Sequence, residues 1–316
     1  MKVSIITLPF RKTHLIQPVY DAIFVQTHEN LEVIAVINDS SDGSKELIAK
    51  EYPQVKIIEP GKNLFFAAGV NLGIKNSSGE FIQLVNDDLI LEPNYIEEIL
   101  KVFQDPKVAS ATGKILRFSF EKNQKTKIID TTGIVLGRSG RVRDRGQLEM
   151  DQGQFDNQTD IFGVSGAGAM YRKSALEKVK YQQEYFDEDF VMYWEDVDLA
   201  WRLRNAGYVA CYVATAVAYH GRTAGQAEGG YLHLFKFIQH HKKLNKQILR
   251  WNYKNHILMY IKNARFIHPM FVLREIAMLG YIIIFETSTL GVIPELFRQL
   301  PKIWRKRKAW TFQSLS

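Results

Sequence analysis

Four short apolar runs, at residues 2–8, 31–37, 54–59 and 80–86, alternate with segments of helical periodicity at residues 14–27, 43–51 and 66–77. Brief apolar runs bounded by glycine or polar residues read as buried strands, and their alternation with helices predicts right-handed βαβ units. The fold class expected is α/β: a mainly parallel, Rossmann-like sheet with helices on both faces. In open sheets of this kind ligands bind outside the carboxyl ends of the strands, so the residues there are the first to weigh for function.

The run Phe81, Ile82, Leu84, Val85 leads into Asn86, Asp87 and Asp88, followed by Glu92-Pro93-Asn94 and a helical pattern from Tyr95 to Phe103. Two acids delivered by a rigid strand can hold a divalent cation against a phosphate. They also fit a strand-to-helix turn in which Asp88 or Asn94 caps the next helix. The second strand ends in Asn38-Asp39-Ser40-Ser41-Asp42-Gly43-Ser44. An Asp there can accept hydrogen bonds from a base or a ribose, while at least one of these residues caps the following helix. No strand is followed by GxGxxG or GxxxxGK[ST]. A nucleotide held here needs another phosphate partner, and a metal ion on Asp87 and Asp88 is the obvious one.

Residues 114–160 carry Lys, Arg, Gln, Asp and the punctuating Gly133, Gly137, Gly140 and Gly146, which predicts loops and a small hairpin. The small-residue run from Phe162 to Arg172 either lets a substrate approach the backbone or packs a tight turn on the sheet. A second acidic cluster, Phe186 to Arg204, contains a helix expected to begin near Glu195. On it, Asp198 and Arg202 form an i,i+4 pair worth ~0.3 kcal/mol. Asp196 falls in the first turn, where a carboxylate is favoured to stay ionised; it is either a general base or a helix-start acid without chemistry. Tyr193 and Trp194 beside it either stack on a sugar ring or pack. His220 ends a strand in a Gly-rich loop and becomes a third metal ligand if Asp88 is the first.

Charge is unevenly placed along the 316 residues: the net +7 divides into +12 from residue 231 onward (15 Lys and Arg, 3 acids) and −5 before it. A basic tail of this kind suits nucleic acid, an anionic membrane surface or an acidic acceptor. Two domains are expected, residues 1–230 and a helical extension at 231–316. Within the extension, His233, His240, His241, His256 and His268 lack metal-site spacing and read as solvated or capping. Ile276 to Phe285 is uncharged but too short for a span, and reads as a buried or interfacial helix. Arg298, Lys302, Arg305, Lys306, Arg307 and Lys308, interleaved with Phe297, Ile303, Trp304 and Trp310, suggest a surface resting on anionic lipid. Cys211, the single cysteine, excludes an internal disulfide framework and reads as a core residue. The amino terminus enters a strand directly, so a cytoplasmic location is expected, peripheral at the inner face of the cell membrane.

The order of these pieces resembles the inverting, nucleotide-sugar-dependent glycosyltransferases of family 2 with the GT-A fold, and within them the rhamnosyltransferase-like subgroup. Four segments carry the resemblance: Val3 to Thr7 with Gln26-Thr27; Asn38 to Ser44; Asn63 through Gly69 to Gly73 and on to Asn86-Asp87-Asp88; and Trp194 to Leu199 with His220. They cover residues 2 to about 225. The resemblance implies that Asp39, or Asn38 in a competing alignment, and Asp42 lie near the base and ribose of the donor, and Asn71 near its ribose or phosphate side. Thr7, Asn63, Asn86 and Asp87 belong to the same donor-binding set. It implies that Asp88 and His220 bind Mg2+ or Mn2+, and that Asp196 in the Glu195-Asp196 motif is the catalytic base, with Tyr193 and Trp194 on the acceptor side. Leu8-Pro9-Phe10-Arg11 replaces the usual Pro-Thr-Tyr-Asn-Arg loop, and Phe65 stands where many members carry Gly.

The function this implies is single-displacement transfer from a UDP-, dTDP- or GDP-sugar to a hydroxyl of a glycan or lipid-linked acceptor, in cell wall or polysaccharide biosynthesis. The rival readings are a non-catalytic scaffold of the same fold and a nucleic-acid-binding protein using the basic tail, the latter disfavoured.

Overall fold

The computed structural model describes residues 1–38, 40–221 and 245–313. Asp39, His233, His240, His241, the side chain of Trp310 and the boundary expected at residue 230 lie outside the described residues.

Strands β1 (Val3–Thr7), β2 (Leu31–Val36), β3 (Lys56–Ile58) and β4 (Phe81–Val85) form a parallel half-sheet in the order β4-β1-β2-β3. Ile5 lies beside Val33 on one side and Gln83 on the other. Every residue of β1 and β4 is buried, as a sheet covered on both faces requires. The connecting helices are α1 (Thr13–Phe24), α2 (Ser44–Glu51) and α3 (Phe65–Lys75). Gln26, just past α1, donates to the carbonyl of Glu92 and accepts from the amide of Ile96. It thereby fixes the start of the helix that follows β4.

The chain continues through β5 (Leu89–Leu91), α4 (Tyr95–Val102), β6 (Val108–Ser119), β7 (Gln124–Thr131), β8 (Ile134–Leu136) and β9 (Val142–Asp144). It then forms β10 (Asp160–Ile161), β11 (Met170–Arg172), α5 (Lys173–Val179), α6 (Glu195–Asn205) and β12 (Val209–His220). Strand β11 runs antiparallel between β4 and β6 and joins the second half, ordered β10-β12-β6-β11, to the first. Strands β12 and β6 are parallel.

Residues 114–160 hold the small hairpin expected of them, β8 with β9, and in place of some of the expected loop a second, longer one. The twelve-residue β6 folds back on β7 as a long hairpin. Register shifts at Ile115/Leu116 and Leu116/Phe118 hide this longer pair in the sequence, because a bulge breaks the two-residue alternation by which a strand is recognised. Gly113 on β6 lies beside the register irregularity of β12: a Cβ there would lie 2.1 Å from the carbonyl oxygen of Ala216.

Two compact units are present. One comprises Met1–Val135, Val142–Val191 and Glu195–Gly221, and holds the sheet. The other contains helices α7 (Lys246–Asn263), α8 (Pro269–Phe285) and α9 (Ile293–Gln313), and also takes in Leu136–Arg141 and Met192–Trp194. Hydrogen bonds account for these two small segments. Asn255 donates to the carbonyls of Met192 and Tyr193, the indole of Trp194 donates to Asn252, and His256 Nε2 bonds the carbonyl of Gly140. His256 is thus buried and engaged rather than solvated. His268 does cap α8, its Nδ1 accepting from the amide of Met270.

Candidate active site

The turn Asn86–Asp88 follows β4, and β5 then pairs antiparallel with β12 so that Leu89 faces His220. This pairing places His220 Nε2 3.0 Å from Asp88 Oδ1. The other ring nitrogen, Nδ1, lies 2.9 Å from Asp130 Oδ2 on β7. Asp130 in turn has Arg117 Nε 3.6 Å from its Oδ1. From the opposite side Lys12, in the loop between β1 and α1, sets its ammonium 2.9 Å from Asp87 Oδ1 and 2.9 Å from Asp88 Oδ2. The result is a chain of alternating charge, from Arg117 through Asp130, His220 and Asp88 to Lys12 and Asp87.

The titration of these groups follows from that alternation. Burial pushes Asp88 up, but hydrogen bonds and charge from His220 and Lys12 outweigh it and hold the carboxyl well below its usual range. Burial pulls His220 down, and the carboxylates of Asp130 and Asp88 raise it to about 9. For Asp87, burial prevails over Lys12 and the net shift is upward. Lys12 is raised by the two carboxylates against its own desolvation.

A divalent cation fits the chemistry of this donor set. Asp88 and Asp87 offer hard oxygens, and His220 offers an imidazole nitrogen once the proton it shares with Asp88 has left; Mg2+ or Mn2+ commonly takes one or two carboxylates with phosphates and water completing the shell. Among the described residues no three such side chains converge as a ready-made cage. Lys12 already occupies the anionic side of Asp87 and Asp88.

The second cluster lies at the start of α6. Asp196 is half-buried; its Oδ2 accepts from the amide of Gly166 at 3.1 Å and its Oδ1 from the amide of Val197 at 2.8 Å. Burial raises its pKa, the two amides oppose the rise, and the net shift is upward. A position in the first turn of a helix favours the ionised carboxylate, and burial at Asp196 outweighs it. Glu195 is buried, with Oε2 lacking a hydrogen-bond partner, and burial with the neighbouring Asp196 charge pushes it well up. The backbone leading into α6 has positive φ at three non-glycine residues, Val191 (φ 62°), Tyr193 (φ 69°) and Trp194 (φ 75°). Each such residue costs ~1–2 kcal/mol, and strain of this kind collects at functional sites.

The remaining candidates divide. Asp42 accepts from both the amide and the hydroxyl of Ser44, the first residue of α2, while the N-cap position itself is Gly43, which carries no capping side chain. Asn63 Oδ1 accepts from the amide of Phe65, whose φ of 58° lies in the region that favours glycine and explains why Phe at this position stood out. Asn38 is consumed by the same loop, donating to the carbonyl of Phe65 and accepting from the amide of Leu64. Thr7 is enclosed, its hydroxyl 2.7 Å from that of Tyr20. Asn71 was expected to face the donor and instead braces residues 185–188. It is fully buried, accepts from the amides of Tyr185 and Phe186, and donates to the carbonyl of Phe186 and to Glu188. Asn86 receives Leu89 and gives its amide to Ala167, which shapes the turn. Asp198 and Arg202 pair at 2.8 Å as expected, but in the core, where Arg202 also donates to the carbonyls of Val179 and Tyr185. Breaking a buried pair of this kind costs ~3–5 kcal/mol, not the few tenths of a surface pair.

Packing accounts for the small residues at 163–168. A Cβ on Gly163 would lie 2.3 Å from that of Ala200, and one on Gly166 2.8 Å from the ring of Phe66. Gly166 also supplies the amide that holds Asp196. Three residues that touch the candidate groups escaped the sequence: Lys12, Asp130 and Gly166. Asp130 has no local signal, since it lies on a strand whose alternation is broken; Lys12 has only its place in the loop after β1.

Residues 4–180, more than half of the chain, match the family model described as glycosyl transferase family 2. A curated relative, the N-acetylglucosaminyl-diphospho-decaprenol L-rhamnosyltransferase of Mycobacterium tuberculosis, is 25% identical over 233 residues, 68% of this chain and 74% of that protein. The poly-beta-1,6-N-acetyl-D-glucosamine synthase of Staphylococcus aureus is 24% identical over 66% of this chain and 47% of its own length. Among solved structures, GalNAc-T7 with UDP, GalNAc and Mn2+ superposes with a TM-score of 0.58 at 10% identity, over 82% of this chain and 47% of that one. The mannosyltransferase PcManGT from Pyrobaculum calidifontis, in complex with GDP-Man and Mn2+, gives 0.52 at 16% identity over 99% and 86%. These structural likenesses show the fold, which is GT-A.

Proposed function

The chain belongs to glycosyl transferase family 2, and from that premise we propose that it transfers a sugar from a nucleoside diphosphate donor to a hydroxyl of a glycan or lipid-linked acceptor, inverting the anomeric carbon. The observation that carries the reading is the coincidence of two sites on one domain. An acid–imidazole cluster stands at the carboxyl end of β4, and a carboxylate of raised proton affinity is fixed at the start of α6.

Asp196 takes the proton of the acceptor hydroxyl as that oxygen attacks. Its raised pKa brings it nearer the operating pH, which favours proton transfer, and the amides of Gly166 and Val197 keep the carboxylate aimed. Burial and the Asp196 charge push the Glu195 pKa well up, which favours its keeping a proton and lessens the charge that would oppose ionisation of Asp196. Asp88 and His220, with Asp87, would hold Mg2+ or Mn2+, which when bound neutralises charge developing on the leaving diphosphate. Asp130 accepts from His220 Nδ1 and so presents Nε2 toward Asp88. Asp42, Asn63 and Asp39 are assigned to the nucleoside side of the donor. Tyr193 and Trp194 are assigned to the acceptor, a glycan or lipid-linked sugar of the kind named for the M. tuberculosis and S. aureus relatives. A role in cell wall or polysaccharide synthesis at the inner face of the membrane, against anionic lipid, follows from the same reading.

The test is release of nucleoside diphosphate from UDP-, dTDP- and GDP-sugars with Mg2+, Mn2+ or EDTA, and the anomeric configuration of the product. Metal-dependent release abolished by Asp88→Ala, with inversion, is expected. A product of retained configuration refutes the single displacement; tight, salt-sensitive RNA binding with no turnover of any donor favours the nucleic-acid reading.

A further inference from the structure

Helix α8 is amphipathic in the wrong sense for water. Its two charged residues face inward: Arg274 Nη1 lies 3.1 Å from His256 Nδ1 and also pairs with Glu275, which is 3.2 Å from the same ring nitrogen. Its apolar residues face outward. Leu273, Ile276 and Ile284 are 66%, 65% and 70% exposed, and Met270, Val272 and Ile283 stand on the same exposed surface. The expectation of a buried or interfacial helix at 276–285 thus resolves away from burial. Seventeen residues make a helix of roughly 25 Å, and a continuous apolar surface of that length is not left to water without a partner.

Helix α9, in the same unit, says which partner. Phe297 and Trp304 are 65% and 48% exposed, and Arg298, Lys302, Arg305 and Lys308 are exposed with them. Spacings of three and four residues put these side chains on one face. Its other face is spent inside: Ile303 is buried, and Arg307 donates to the carbonyls of Ile261, Ala264 and Arg265. Aromatic rings among cations are the composition of a headgroup-level helix on anionic lipid. Among the described residues no single helix is long and apolar enough to cross a bilayer, and α8 bends by 118° from the helical stretch Thr287–Ala309.

We infer that α8 lies in the plane of an anionic membrane with its apolar face sunk into the acyl boundary, while the cationic face of α9 engages the headgroups. This rests on the membrane partner proposed above and not on the transfer chemistry. Co-sedimentation of the full chain with phosphatidylcholine vesicles, with and without phosphatidylglycerol, tests it in the absence of donor. Binding to the anionic vesicles is expected, part of it surviving 0.5 M NaCl because apolar insertion is not screened. Leu273→Ser with Ile284→Ser should lower the salt-resistant partition at least about tenfold. Arg298→Gln with Lys302→Gln and Arg305→Gln should abolish the low-salt preference for phosphatidylglycerol. Circular dichroism and donor turnover in vesicle-free solution establish that each variant is folded. Wild-type protein that stays in the supernatant with both vesicles overturns the inference, as does equal salt-resistant binding by the α8 variant. A concentration-dependent dimer that the α8 substitutions dissolve, with no vesicle binding, also overturns it and assigns the face to a second copy. Donor turnover without vesicle binding sinks the membrane surface alone.

Discussion

Replacing Lys12 by Met is the most informative single change at the acid cluster. The ammonium makes two charge-assisted contacts of 2.9 Å, to Asp87 and Asp88, and its side chain is 26% exposed. A hydrogen bond to a charged group contributes ~1.5–3 kcal/mol, and part of the loss is recovered when a partly exposed ammonium returns to water. A cation binding the carboxylates in the absence of donor must therefore displace Lys12 at a net cost of ~1.5 kcal/mol, about a tenfold loss of affinity. Lys12→Met is expected to bind Mn2+ about tenfold more tightly than the wild type. Titration followed by the electron paramagnetic resonance of free Mn2+, at pH 7.5 without donor, reads this directly. With a nucleoside diphosphate present the advantage should shrink, because Lys12 then has phosphate oxygens to pair with. Equal or weaker Mn2+ binding by the variant would show that Lys12 does not compete for these carboxylates, and the argument from charge alternation would fall.

Further outcomes follow from the structure. Asp196→Asn should lower kcat by roughly 10² to 10⁴ with the donor KM little changed; near-normal turnover would remove Asp196 as the base. Since its pKa is raised, the acid limb of the wild-type kcat profile should lie above the ordinary aspartate value of 3.8, and a limb at or below it would contradict the assigned environment. Asp130→Asn removes the acceptor that orients His220 and should weaken Mn2+ binding by ~10 to 100-fold in calorimetry; unchanged affinity would take Asp130 out of that role. Glu195 has a folded-state pKa raised above 4.5, so the native state holds the proton more tightly and stability falls as pH rises through the window between the two values. Glu195→Gln should flatten that fall, and an unchanged slope in urea melts from pH 4.5 upward would count against it. Gly113→Ala places a Cβ 2.1 Å from a backbone oxygen and should cost ~1–3 kcal/mol or more in the same melts; wild-type stability would mean that β6 and β12 part easily there.

The half-sheet was legible because its strands are continuous apolar runs and its helices have their own period, so the boundaries of β1, β2 and β4 fall within one or two residues of the expected ones. Legible too were the ends of those strands, since polar residues after a buried run have one place to go. Asp88, Asp196 and His220 stand out in that way as candidates, from a local signal and the resemblance it supports. What surrounds them was not. Asp130 reaches His220 across 90 positions of sequence, and Lys12 reaches Asp88 across 76. No local pattern encodes such pairings, which exist only because β5 and β12 set a register and the loop after β1 folds over it. Burial decided the remainder. Asn71 had the residue type of a ligand contact and became a brace, Asp198 and Arg202 had the spacing of a surface pair and entered the core, and Asp196 changed the direction of its shift. In α8 the reverse occurred: an apolar run long enough to be core was left outside, because the helix had turned its charges toward His256. Residue type and period are properties of neighbours along the chain and so determine elements and candidate chemistry. Desolvation, charge pairing and exposure depend on neighbours in space, and only the tertiary structure decides those.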